Sequence, residues 1–243
     1  MGINVVLALM VIGSFLIAIP LHESGHALMA SLLGDRTPRE EGRQSLSIRS
    51  HIDPIGLLMC VILAFQPGLG VGFGWGKPVK ADPWKMRVGI NAGMLLVAWA
   101  GLIFSLLIGV LVSLLVRFLV PIPMFSSQVA VHVIQLLIVF ASVNICLAIF
   151  NLIPLYPLDG YQILYTLLPS RQAVQFAKSA PYGPLIILAL FFLLPFLAQI
   201  ASPGLSSFPL FQLPLYVWLG SVNIIALVMG QIPDFIILLY TLK

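Results

Sequence analysis

Apolar positions in this chain come in long blocks, not in short alternating patches. A helix needs about 20 apolar residues to cross a bilayer. Val5–Leu33 is the first block of that length, 88–116 the second, 129–153 the third, 185–200 a shorter fourth and 215–242 the fifth. Residues 55–65 are apolar too, but this run is only about half the length of a span. It leads into QPGLGVGFGWGKP, which is too rich in glycine to continue a regular helix. Between the first block and this run lies a polar stretch, 36–53. Its segment RQSLSIRSHI, residues 43–52, alternates in the manner of a short strand or hairpin. The pattern predicts an all-α membrane protein with several passes, an irregular segment at 54–76 and a small hairpin at the membrane surface.

Composition strengthens this expectation. Of the 243 residues 60% are hydrophobic and 8% charged, with a mean hydropathy of +1.09. Soluble domains carry about a quarter charged residues, so lipid is the expected solvent for most of the chain. The net charge of +4 is modest and carries no sign of nucleic-acid binding. Cys60 and Cys146 both sit inside apolar runs and form no CxxC pair. They read as small buried hydrophobes. The first twenty residues lack the basic start and small-residue cleavage site of a signal peptide, so the first block is expected to stay as a membrane helix.

The basic residues predict the topology. Arg36, Arg39, Arg43 and Arg49 follow the first span, and Lys77, Lys80, Lys85 and Arg87 precede the second. If 55–75 crossed the membrane, these clusters would face opposite sides, against the positive-inside tendency. If 54–76 is re-entrant, both clusters join Arg171, Lys178 and Lys243 on the cytoplasmic side, and Arg117 alone lies outside. This arrangement is favoured. It puts the N-terminus outside and the C-terminus in the cytoplasm, and it requires 54–76 to pack on protein or line a wet cavity.

The candidate chemistry sits at the end of the first span. In IPLHESGHALMA, His22, Glu23 and His26 follow about seventeen apolar residues. Ionisable groups inside a membrane are costly and mark interior cavities or pathways. His22 and His26 lie one helical turn apart on one face, where they can share a zinc ion. Glu23 lies beside the first of them, in reach of a water at that metal. Pro20 can bend the helix just before His22, and Gly25 lets another segment approach.

A catalytic zinc takes three protein ligands and a water. Asp159, in NLIPLYPLDG at the end of the third span, is the favoured third ligand. Pro154 and Pro157 break the helix there, Gly160 allows a turn, and the predicted topology puts Asp159 at the depth of the histidines. Asp234, after Pro233 in the last span, is the rival. His51 and Asp53, in HIDP, read as surface residues.

These motifs together resemble the site-2 protease family of intramembrane zinc metalloproteases, in the compact bacterial form without a PDZ or CBS domain. HIDPIG at 51–56, FGWGKPV at 73–79 and NLIPLYPLDG at 151–160 match in that order and at similar spacing. The resemblance covers about residues 10–170. It implies a three-helix catalytic core in 1–170 and two further transmembrane helices in 171–243. It implies one zinc held by His22, His26 and Asp159, with Glu23 as catalytic base. Asn151 is then placed to contact substrate or the developing oxyanion. One departure is AGLIFS at 100–105, where Ser105 replaces an asparagine common in relatives.

The expected function is hydrolysis of transmembrane protein substrates within the bilayer. The unwound substrate is expected to add as a strand to 43–52 or to the loop at 70–79, with Gly72 and Gly74 among the binding residues. A homo-oligomer is compatible with the sequence. A transporter or proton channel with a structural zinc, a non-catalytic homologue and a lipid hydrolase are the alternatives. A transporter would explain the broken helices but not a glutamate beside a histidine ligand.

Overall fold

Asn4 starts the first helix. Its side-chain oxygen accepts from the Leu7 N–H at 3.0 Å, as helix-capping residues do. The apolar run then continues unbroken through Pro20 to Leu33, and Gly34 ends it in the left-handed conformation, at φ 111°. The computed structural model describes residues 4–66, 72–122 and 128–230. Its helices are α1 (Val5–Leu33), α2 (Thr37–Glu40), α3 (Ile48–His51), α4 (Pro54–Ala64), α5 (Ile90–Leu119), α6 (Gln128–Asn151), α7 (Asp159–Leu167), α8 (Ser170–Ala177), α9 (Gly183–Leu188), α10 (Leu194–Ala201), α11 (Pro203–Ser206) and α12 (Leu213–Met229).

Five helical stretches among the described residues are long and apolar enough to cross a membrane: Val5–Leu33, Ile90–Leu119, Val129–Asn151, Ser170–Ala201 and Pro209–Met229. The protein is an all-helical, multi-pass membrane protein. The fourth stretch is longer than its apolar run and is not one regular helix. It passes through α8, α9 and α10 with a 3₁₀ turn at Ala180–Tyr182 and a π-helical turn at Ala189–Leu193. Large apolar side chains such as Leu107, Leu111, Phe118, Leu185 and Ile200 point outward, as expected where the surrounding medium is hydrocarbon.

α1, α5 and α6 pack against one another. Leu7, Val11, Phe15 and Ala18 of α1 interlock with Val139, Val143 and Leu147 of α6. Ala141 and Ile145, further round α6, meet Val116 of α5 and Ile225 of α12. A second cluster joins Phe73, Trp75 and Phe150 to Ile187, Phe191 and Val217, so the later helices share a core with the earlier ones. The basic loops after α1 and before α5 lie at one end of this bundle. Arg117 is at the far end of α5, where it donates to the Val228 carbonyl.

The expected hairpin at 43–52 does not form. Among the described residues there is no strand, only an isolated antiparallel bridge between Ile52 and Gly76. Alternation misled here because the stretch closes on itself. The Arg43 guanidinium donates to the Ser50 carbonyl, and His51 faces the carbonyls of Ser47 and Arg43, at 2.8 and 3.0 Å. His51 is therefore buried, not at the surface.

The described residues of 54–76 form a short helix and a non-helical stretch and do not establish a re-entrant loop. Pro54 and an Asp53 cap, accepting from Ile55 N–H and Gly56 N–H, start the eleven-residue α4. Residues 72–75 are non-helical, and Gly76 makes the isolated bridge to Ile52. Gly74 lies so close to the Gly56 carbonyl that no side chain fits there, and a Cβ on Gly72 would strike Val11 and Cys60. Both glycines are buried packing positions.

Candidate metal centre

α1 carries His22, Glu23 and His26 on its buried face; their exposures are 2%, 5% and 4%. Four residues separate the histidines, so their rings lie on neighbouring turns, with centroids 4.8 Å apart and planes nearly perpendicular. The two Nε2 atoms are 3.2 Å apart. Both ring Nδ1 atoms are engaged elsewhere. That of His26 donates to the Val97 carbonyl at 2.7 Å, and that of His22 lies 2.9 Å from Ser105 Oγ. Each ring therefore turns its Nε2 to a common point.

Asp159 closes the third side. α6 ends at Asn151, and the proline-rich 152–158 leads to α7, whose first residue is Asp159. Its Oδ2 lies 3.0 Å from His22 Nε2 and its Oδ1 3.2 Å from His26 Nε2. One ligand atom from each of His22, His26 and Asp159 falls within a 4.8 Å group, and these three residues could hold a metal ion.

The donor set fits zinc. Two imidazole nitrogens and one carboxylate oxygen leave a fourth tetrahedral position open, as catalytic zinc requires. Glu23 provides an independent sign. Its Oε2 is buried and has no hydrogen-bond partner. A buried polar atom without a partner is costly, and here it lines the same cleft as His26 and Asp159.

Two glycines make room for these side chains. A Cβ on Gly101 of α5 would overlap the His26 ring, and one on Gly76 would overlap Glu23 Oε1. Gly25 takes the role expected of it: Phe104 of α5 packs against its bare face.

The cleft itself runs between the non-helical segment at 75–81 and the turn at 156–158 with the start of α7. Met94, Val97 and Ala98 of α5 form one wall, and Asn151, Tyr156, Tyr161 and Gln162 face them. Asn151 lines the cleft, and its amide donates to the Leu147 carbonyl at 2.9 Å. Gly72 and Gly74 do not line it. Asp53 caps α4 and His51 is enclosed by its own loop, so neither joins the metal group. Asp234 lies outside the described residues.

The comparisons with known proteins agree with this geometry. The description "Peptidase family M50" matches residues 119–194, the part that supplies Asn151 and Asp159. The resemblance is to peptidase family M50. The chain is also 28% identical over 179 residues to the "Putative zinc metalloprotease YwhC" of Bacillus subtilis (strain 168), covering 73% of this chain and 78% of the relative. No solved structure matches the chain. The His22, His26 and Asp159 cluster could hold a metal ion, and the Bacillus relative is named as a zinc metalloprotease.

The residues around the cluster to which sequence reasoning gave no site role are Val97, Gly101 and Ser105 on α5, Gly76 before it, and Tyr156, Tyr161 and Gln162 near Asp159. The spacing of Val97, Gly101 and Ser105 at four-residue intervals was the one available signal. It places a carbonyl, a bare backbone and a hydroxyl on one helix face.

Proposed function

We propose that this chain is a zinc-dependent intramembrane endopeptidase that cuts transmembrane protein substrates. The observation that carries the reading is the convergence of Asp159 on His22 and His26, 137 and 133 residues earlier in the chain, with the Glu23 Oε2 atom unpartnered beside them.

When bound, zinc would polarise the scissile carbonyl and make a water acidic enough to attack near neutral pH. Glu23 then acts as the general base. Its free Oε2 takes the proton of the attacking water and delivers it to the leaving nitrogen. Asn151, on the cleft wall, orients the substrate carbonyl. Met94, Val97, Tyr156 and Tyr161 shield the reacting groups from lipid and bulk water.

A helical substrate hides its carbonyls in its own hydrogen bonds and must unwind to be cut. The curled 43–52 stretch and the buried 72–76 stretch leave the non-helical 78–81 as the backbone able to receive it. Pro78, Val79 and Ala81 line the cleft, and this segment is the proposed docking edge. The bridge between Ile52 and Gly76 brings both ends of 54–76 together, which supports entry and exit of that segment on one side of the membrane. With the basic loops in the cytoplasm, the N-terminus lies outside, and the metal cluster lies near the cytoplasmic face, where water is accessible.

The test is cleavage of a helical membrane substrate in proteoliposomes. Cleavage should cease on chelation and return with zinc, at sites mapped inside the substrate's apolar segment. Metal-dependent ion flux without peptide hydrolysis would contradict the reading.

A further inference from the structure

α5 supplies no metal ligand, yet it touches both histidines. Ser105 Oγ lies 2.9 Å from His22 Nδ1 across 83 residues of sequence, and both side chains are buried. Eight residues earlier on the same helix the Val97 carbonyl accepts from His26 Nδ1. Midway between them, Gly101 leaves the space that the His26 ring fills. Positions 97, 101 and 105 fall on successive turns of one helix face.

We infer that the α5 face Val97–Gly101–Ser105 is a positioning cradle for the metal-binding histidines, with the Ser105 hydroxyl fixing the ring orientation of His22 and accepting its Nδ1 proton when Nε2 binds the metal. This rests on the zinc reading above and goes beyond it by assigning Ser105. A proton held on Nδ1 leaves Nε2 unprotonated, which is the form that binds metal. Histidine ligands usually donate their second ring N–H to such a partner, and losing that partner weakens metal binding about 10–100-fold. Ser105 is otherwise hard to explain. A polar side chain, fully buried in an apolar 30-residue helix, normally bonds back to its own helix, as Ser113 does to the Gly109 carbonyl.

Ser113 supplies the control, being equally buried on the same helix. Zinc affinity of the purified full chain is measured by chelator competition, and the cobalt-loaded protein by its visible spectrum. Ser105→Ala should bind zinc about tenfold more weakly and shift the cobalt bands, whereas Ser105→Thr, which keeps the hydroxyl, should stay within about threefold of wild type. Ser113→Ala should match wild type in both. In the wild-type zinc form, ¹⁵N NMR should place the His22 proton on Nδ1, a readout that needs no variant to fold. The inference is overturned if Ser105→Ala keeps wild-type affinity and spectrum, if Ser105→Thr or Ser113→Ala loses as much as Ser105→Ala, or if His22 Nδ1 carries no proton. Wild-type protein that binds no zinc would overturn the metalloprotease reading together with it.

Discussion

The His26 imidazole fills the space that Gly101 leaves by having no side chain: a Cβ at that position would overlap the ring. Gly101→Ala should therefore push His26 out of line with His22 and Asp159. Zinc affinity is expected to fall by about tenfold or more, as it does when the support behind a ligand is lost, while the helical content of α5 is kept, since alanine favours helix more than glycine does. Chelator competition and circular dichroism on the same samples check both halves.

Asp53 is predicted to be structural. It caps α4 through two backbone N–H groups at 2.9 and 3.0 Å. Asp53→Ala should cost about 1 kcal/mol of stability and leave zinc stoichiometry unchanged. A lost zinc would instead make it part of the metal set.

Gly74 separates a packing role from a substrate role. Alanine there would strike the Gly56 carbonyl, and overpacking of this kind costs about 1–3 kcal/mol. Gly74→Ala should lower the midpoint of thermal unfolding in detergent. In the fraction that remains folded, KM for substrate should be unchanged.

Asp35 gives the fold a pH dependence outside the membrane. Its carboxylate is buried at the end of α1 and accepts from the N–H groups of Thr37 and Asp82 at 2.9 and 2.7 Å. Burial alone would raise its pKa, but these bonds and the nearby Lys85 outweigh it and hold the carboxyl below its ordinary value. A carboxyl with a lowered folded pKa stabilises the fold above its unfolded value, about 3.9, and that contribution is lost as pH falls through the folded value. Asp35→Asn should therefore be less stable than wild type at pH 6, and the difference should shrink as pH drops below about 4. Unfolding curves across that range read the effect directly.

The parts of this site that depend on local spacing were legible in the chain. His22 and His26 share a face because four residues make about one helical turn, and the prolines around Asp159 announced a break that frees its carboxylate. What depends on packing was not legible. Ser105 looked like a departure from a family pattern, because a serine in an apolar helix does not reveal which neighbour it faces. Alternation in 43–52 resembled a strand, but Arg43 and His51 satisfy that loop's carbonyls internally. Gly72 and Gly74 looked like a flexible substrate loop, yet their bare faces serve close packing against α1 and α4. Apolar length alone located the spans to within a few residues for the first three. It missed the start of the fourth, where the amphipathic α8 continues into apolar helix.

The central claim is that Glu23 is the base at a zinc held by His22, His26 and Asp159. The most direct measurement is the cleavage rate of zinc-loaded Glu23→Gln on a helical membrane substrate, with metal content determined on the same preparation. The expected result is about one zinc per chain, as in wild type, and a rate about 10²–10⁴-fold lower, the usual contribution of a positioned general base. Zinc-loaded Glu23→Gln that cleaves at the wild-type rate would contradict it.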